Sequence, residues 1–304
     1  MNILLAGSSG QLGQELLPQL ASLGAVTLVD RNVSAGDRET VRQDLSDLNR
    51  VEILLNRTRP DSVVNAAAYT AVDQAENETD IAFRLNAELP GCLARWCERN
   101  DRLMVHYSTD YVFPGDSDRP YRETDPTGPI NAYGESKLAG ELAVSASGCR
   151  HIILRTSWVY STHGNNFVLT MLRLARERPE LSIVSDQKGC PTWARNLARV
   201  TRQLISHVGS GDHAALLGLY HYCDSGVVNW YDFAHAIFST AQNIGLLQEL
   251  PRMTPVPTSG FPQLAERPLY SVLDCSAIKK AFGVEAAGLN ESLQSCLEEL
   301  KENE

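Results

Sequence analysis

The sequence lacks concentrated positive charge. Its 27 basic residues are scattered among 37 acidic ones, formal net charge is −10, and no basic cluster exceeds short pairs such as Lys279-Lys280. A polyanion is held by a concentrated basic face, so nucleic acid is excluded as an expected partner. Long apolar runs are missing too, none approaching the ~20 residues that cross a bilayer. The first segment, MNILLAG, carries no basic leader and no small-residue cleavage site, so a cytoplasmic protein without membrane association is expected. Cysteine occurs seven times (92, 97, 149, 190, 223, 275 and 296), an odd number with no CxxC pair. That pattern argues for reduced, mostly buried thiols and against a disulfide framework. The histidines show neither HxxxH nor HxH spacing, and no metal is expected. Internal repeats and low-complexity tracts are absent.

What is present is ordinary globular composition: 304 residues, 43% hydrophobic and 21% charged. Short apolar runs alternate with amphipathic stretches through the first half, the pattern of a parallel sheet wrapped by helices. Strands are predicted at 2–6, 26–29, 62–65, 103–107 and 151–155, with a further short one before Asp44. Helices are predicted at 11–23, 48–57, 81–99 and 132–147. The stretch 114–129 contains four prolines and reads as a surface loop. After about residue 160 the pattern loosens, with helices expected at 167–178, 195–208, 230–242 and 291–301. The fold class is therefore α/β, a Rossmann-type doubly wound parallel sheet with a smaller C-terminal α/β domain that binds substrate. The domains are expected at 1–160 and 161–304, their segments interleaved.

Gly7-Ser8-Ser9-Gly10-Gln11-Leu12-Gly13 lies between the first strand and the first helix. Glycine there permits φ > 0 and close approach of backbone to a pyrophosphate, while the helix N-terminus offers unpaired N–H groups to the phosphate oxygens. Asp30, closing the second strand, is placed to accept hydrogen bonds from adenosine ribose hydroxyls. Strand, glycine turn, helix and acid together point to a dinucleotide site.

Tyr133 and Lys137 form a YxxxK pattern. Four helical residues advance by ~6 Å and return to nearly the same face, so both side chains reach one pocket. A free phenol, with a pKa of about 10, is a poor proton relay at pH 7, and a neighbouring ammonium favours its ionised form. Thr109, or less favourably Ser108, sits at the carboxyl end of the preceding strand, where α/β sheets bind ligands.

The GxxGxxG spacing is that of extended short-chain dehydrogenases/reductases. Within that superfamily, the segments NAAAYTAVDQAE, LNAELP, HYSTDYVFPG, YGESKLAGE, RTSWVY and GLYHYCDSG resemble those of the dTDP-4-dehydrorhamnose reductase family over essentially the whole chain. The resemblance implies NADPH- or NADH-dependent reduction of the 4-keto group of dTDP-4-dehydro-6-deoxy-L-mannose to dTDP-L-rhamnose. It implies Tyr133 as general acid, Lys137 tuning it and Thr109 matching its proton affinity to the substrate oxygen. It also implies adenine contacts from Asp44 and Leu45, cofactor contacts from Ala68, Tyr69 and Thr70, and sugar contacts from Thr109, Asp110, Trp158 and Val72. Asp30 argues for NADH, whereas Arg31 beside it can pair with a 2′-phosphate, so both cofactors are expected to serve.

Two positions depart from the family. Some relatives are linked into dimers by magnesium held between glutamates. Glu15 is present at one such position, but Arg195 stands where a second glutamate belongs, so no metal is assigned and a homodimer is left open. Tyr270 stands where the C-terminal motif usually has asparagine. Two other readings compete: a nucleotide-sugar epimerase or dehydratase on the same scaffold, and a non-catalytic regulatory subunit resembling the partner of methionine adenosyltransferase.

Overall fold

A computed structural model describes residues 1–32, 40–209 and 214–303. Seven strands form one sheet: β1 (Asn2–Ala6), β2 (Ala25–Asp30), β3 (Thr40–Arg42), β4 (Ser62–Asn65), β5 (Leu103–Thr109), β6 (Arg150–Thr156) and β7 (Gly218–His221). Their order is β7-β6-β5-β4-β1-β2-β3 and every neighbouring pair is parallel. The order reverses direction at β1, so β1 and β4 flank the switch point, outside whose carboxyl ends ligands bind in such sheets.

Both faces of the sheet are apolar because successive side chains alternate across it. On one face Ile3, Leu5, Val105, Ile152 and Leu154 pack against α1 (Gln11–Ala21), through Leu16 and Leu20, and against helices from the second half of the chain. On the other face Leu4, Val63, Met104 and Ile153 meet α2 (Leu48–Thr58), α3 (Leu89–Arg99) and α4 (Ala132–Ala146), through Leu55, Trp96 and Val144. The second half adds α5 (Phe167–Glu177), α6 (Ala194–Gly209), α7 (Trp230–Asn243), α8 (Ser276–Phe282) and α9 (Leu289–Glu302). Of these, α6 and α8 join the first face of the sheet through Leu197, Leu204, Ile278 and Phe282. A separate core forms from α5, α7 and α9, with Met171, Phe233, Ile237, Leu293 and Leu297 around Tyr160 and Trp193. Among the described residues no helix is long and apolar enough to cross a membrane. The seven cysteines are free, and all but the half-buried Cys275 are buried.

The helix predicted as continuous over 81–99 is not regular. Thr79–Phe83 is α-helical, Arg84–Glu88 forms a π turn, and α3 follows. The apolar periodicity is nearly the same in both forms, so the sequence pattern hides the turn. The π turn carries the fully buried Asn86, whose amide bonds outside the helix.

Candidate active site

A groove of about 450 Å³ opens at the carboxyl ends of β1, β2 and β4, lined by Gly7, Gly10, Asp30, Arg31, Asp44, Leu45 and the run 66–71. Gly7 has φ +80°, and a Cβ there would fall 2.5 Å from Ala67 N. A Cβ on Gly13 would fall 2.1 Å from Gly7 O, so that glycine presses α1 onto the turn. Gly10 caps α1 without a side-chain hydrogen bond, which leaves its first N–H groups available to an anion. Gln11 and Leu12 do not line the groove with side chains. Gln11 Nε2 reaches Val159 O at 3.3 Å and Leu12 packs on the sheet core, so helix-terminal N–H groups are what they offer. Asp30 is buried, and its two oxygens accept from Ser9 N and Asn32 N, both at 3.0 Å, tying the turn to the end of β2. Hydrogen bonds from Ser46, and then the charge of Arg31, hold the Asp44 carboxyl below its ordinary value. Ala68, Tyr69 and Thr70 line the groove from the β4 side.

The YxxxK helix α4 is set flush against its surroundings. Asn131 caps it by accepting from Gly134 N at 2.8 Å. Added Cβ atoms on Gly134 and Gly140 would lie 2.3 Å from Tyr111 O and 2.0 Å from Asn86 O. Only glycine allows that approach, which seats Tyr133 and Lys137 against the end of β5. Lys137 is buried and donates to Tyr107 O at 2.6 Å. Burial lowers its pKa to about 8, against the opposing charge of Glu141. The Tyr133 and Tyr69 rings each pack on the cluster of Ala75, Ala82 and Ala132, and Tyr133 meets Tyr111 edge-on at 5.8 Å. Burial pushes its phenol up to about 12, with the nearby Thr109 hydroxyl opposing that rise and Asp110 adding to it. Thr109 ends β5 and donates to Asp110 Oδ1 at 3.0 Å, while its oxygen accepts from Tyr111 N at 3.2 Å.

Asn86 escapes a reading of the sequence. Its Oδ1 accepts from Tyr69 N at 2.8 Å, and its Nδ2 donates to Tyr69 O and Ser136 Oγ at 3.0 and 2.9 Å. One side chain thus fixes the groove-lining segment to the YxxxK helix. An asparagine between the apolar Leu85 and Ala87 of LNAELP was the available signal.

The second half of the chain builds an aromatic wall. Trp158 follows β6 with φ +46°, a conformation that costs about 1–3 kcal/mol for a non-glycine residue and clusters at functional sites. Its indole stacks on Trp230 at 3.4 Å, and Trp230 Nε1 donates to Gln187 Oε1 at 3.1 Å. Trp230, Gln187, Phe167, Phe261 and Arg267 line a cavity of about 640 Å³. Val72 begins a short helix whose Asp73 pairs with Arg267 at 2.7 Å. Tyr270 packs near Tyr121, and burial raises its phenol. A Cβ on Gly189 would lie 2.5 Å from the Trp158 ring. Gly189→Ala is therefore expected to tilt Trp158 off Trp230, changing tryptophan fluorescence and raising the KM for substrate about tenfold with kcat less affected. Unchanged emission and KM would show that the ring does not bear on the pocket.

Away from this site, Glu15, His163 and Glu299 place potential ligand atoms within 4.8 Å of one another, the one such group among the described residues. Arg195 fills it, bonding Glu15 at 2.8 Å and Glu299 at 2.6 Å. A fixed guanidinium between the carboxylates supplies the charge that a divalent ion would bring, so these residues do not fit a metal.

A family model described as the RmlD substrate binding domain matches residues 1–302. A dTDP-4-dehydrorhamnose reductase of Burkholderia thailandensis is 43% identical, covering 99% of each chain. That of Escherichia coli K12 is 44% identical over 93% of each. The crystal structure of dTDP-4-dehydrorhamnose reductase from Bacillus anthracis in complex with NADP superposes with a TM-score of 0.87 at 34% identity, covering 98% of this chain and 99% of that one. With the glycine-lined groove and the YxxxK helix in place, the chain belongs to the dTDP-4-dehydrorhamnose reductase family.

Proposed function

We propose that this protein is an NAD(P)H-dependent dTDP-4-dehydrorhamnose reductase, which reduces the 4-keto group of dTDP-4-dehydro-6-deoxy-L-mannose to give dTDP-L-rhamnose. One observation carries the reading: Asn86 joins Tyr69, which lines the glycine groove, to Ser136 of the YxxxK helix, and Tyr133 on that helix meets Tyr111, which neighbours the Arg267 of the larger cavity. The helix of the proton donor thus connects to the walls of both spaces, the smaller suited to a dinucleotide and the larger to a nucleotide sugar. The nicotinamide supplies the hydride when bound. Tyr133, kept protonated by burial, gives its proton to the developing alkoxide at O4. Thr109 eases that loss by hydrogen-bonding the phenolate. Lys137 holds positive charge near the same face, and Trp158, Val72 and Asp110 orient the sugar. The division into a cofactor domain (1–160) and a substrate domain (161–304) and a cytoplasmic site belong to the same proposal.

The deciding assay supplies dTDP-4-dehydrorhamnose with each reduced cofactor and follows absorbance. Stoichiometric oxidation supports the reductase. Turnover without net oxidation would make the protein an epimerase. Asp30 is assigned to the ribose hydroxyls, so Asp30→Ala is expected to shift kcat/KM about tenfold from NADH toward NADPH. An unmoved ratio would remove Asp30 from cofactor choice.

A further inference from the structure

Two thiols from distant parts of the chain meet beside the substrate half. Cys223 lies two residues beyond β7 and Cys275 immediately precedes α8, 52 positions along, yet their sulfurs are 3.6 Å apart. The Cys223 N–H also donates to the Cys275 sulfur at 3.3 Å, which holds the two segments in place against each other. Cys223 is 3% exposed and Cys275 is half-buried, so a small oxidant meets Cys275 first. A disulfide needs about 2.05 Å between its sulfurs, so the pair has about 1.5 Å to close. A third thiol, Cys190, belongs to the same apolar cluster.

The segment that ends at Cys275 also supports the substrate side. It runs from Arg267, which lines the larger cavity and pairs with Asp73. Leu269 O accepts from Lys188 N and Ser271 N donates to Lys188 O, both at 2.8 Å. The next residue, Gly189, lies flush against the Trp158 ring, where a Cβ would fall 2.5 Å away. Beyond it, Cys190 O accepts from Ser157 Oγ at 2.6 Å. Val272 O and Asp274 N bond to the Tyr121 backbone at 2.8 and 2.7 Å. Close packing of this kind transmits a shift of an ångström instead of absorbing it. Movement at Cys275 therefore reaches Trp158 and Arg267, whereas the glycine groove shares none of these residues.

We propose that Cys275 and Cys223 form a reversible disulfide under peroxide, and that closing the pair weakens the hold on the sugar. The effect on the sugar rests on the reductase reading; the thiol chemistry does not. The Cys275 thiolate attacks one oxygen of hydrogen peroxide: an S–O bond forms, the O–O bond breaks, and hydroxide leaves with the proton that Cys275 gave up, as water. The Cys223 sulfur then attacks the sulfenic sulfur of Cys275. Its thiol proton joins the departing hydroxyl, the S–O bond breaks and a second water is released. The two sulfurs together lose two electrons, and the peroxide takes them. A dithiol reductant reverses the bond by exchange.

The test treats the reduced full chain with hydrogen peroxide, in the absence of cofactor and sugar. Of the seven thiols counted in denaturant, two are expected to be lost and then restored by dithiothreitol. Peptide mapping should place the bond between Cys223 and Cys275. Cys190→Ser should form the same bond, and Cys223→Ser should instead leave a sulfenic acid on Cys275 that dimedone captures. In the oxidised protein KM for dTDP-4-dehydrorhamnose should rise about threefold or more, with NADPH affinity held within about twofold. Dithiothreitol should return that KM to its starting value, and Cys223→Ser should not show the rise. Retention of all seven thiols, or a bond to Cys190 instead, would overturn the proposal, as would a disulfide-bonded protein with the KM of the reduced one. Absence of NADPH oxidation by reduced wild type, with the Cys223–Cys275 bond still forming, would overturn the reductase reading and the effect on the sugar, and leave the thiol chemistry supported.

Discussion

Replacing Tyr133 by phenylalanine is expected to lower kcat about 10²–10⁴-fold, the range a positioned general acid contributes, while the variant still folds and binds NADPH. The ring remains, so its packing on the cluster of Ala75, Ala82 and Ala132 and against Tyr111 is kept, and only the hydroxyl is lost. Cofactor affinity, read by fluorescence of bound NADPH, should change by less than about twofold, because the groove is lined chiefly by the glycine turn, Asp30 and the run 66–71. KM for the sugar should move little, since the phenol bonds most strongly to the oxygen only as charge develops there. A variant retaining more than a tenth of wild-type kcat would move the proton donor elsewhere.

The second large effect concerns stability. Arg155 on β6 and Glu141 on α4 are 4% and 3% exposed and form a two-point ion pair at 2.9 and 2.7 Å, with the guanidinium also over the Phe113 ring at 4.9 Å. Removing one partner strands the other charge in the core. Glu141→Leu is expected to cost about 3–5 kcal/mol, a fall of roughly 10 °C in Tm. Replacing both, as Glu141→Leu with Arg155→Met, should recover most of that loss, because two apolar side chains need no counter-charge. Equilibrium denaturation of the two singles and the double measures the coupling. A Glu141→Leu loss below about 1 kcal/mol would mean that water reaches the pair. Glu141 also favours the charged form of Lys137 one helical turn away, so its loss should move the lysine's titration downward as well.

The site was legible where it is carried by residues close in the chain. Gly7, Gly10 and Asp30 could be read because a tight turn after a strand requires glycine, and the acid is one strand away. Tyr133 and Lys137 could be read because helical spacing puts them on one face. The other half of the pocket depends on contacts that no local pattern encodes. Trp230 meets Trp158 across 72 positions, and Gln187 fixes it from a third segment. Asn86 was hidden inside a run that reads as ordinary helix. Lys137 was read as tuning the phenol; that its ammonium also donates to a strand carbonyl becomes visible only once β5 lies beside α4. In the fold, the predicted strands fall on the sheet, but β7 did not announce itself, because GLYH is too short to show alternation. Arg195 was seen to break the pattern of glutamates; that it would answer two carboxylates, including Glu299, was not.

The late arrival of β7 bears on how the chain is made. Translation has reached residue 156 when β6 is complete, yet the strand that covers its outer edge begins only at Gly218. At the ribosome's rate of about 5–20 residues per second, that edge and the apolar face awaiting α6 stay bare for several seconds. An unpaired edge next to uncovered hydrophobic surface invites association with other nascent chains, so this interval is where a chaperone has most to do. A polypeptide halted near residue 160 would keep the glycine turn and the YxxxK helix intact in sequence and still tend to precipitate.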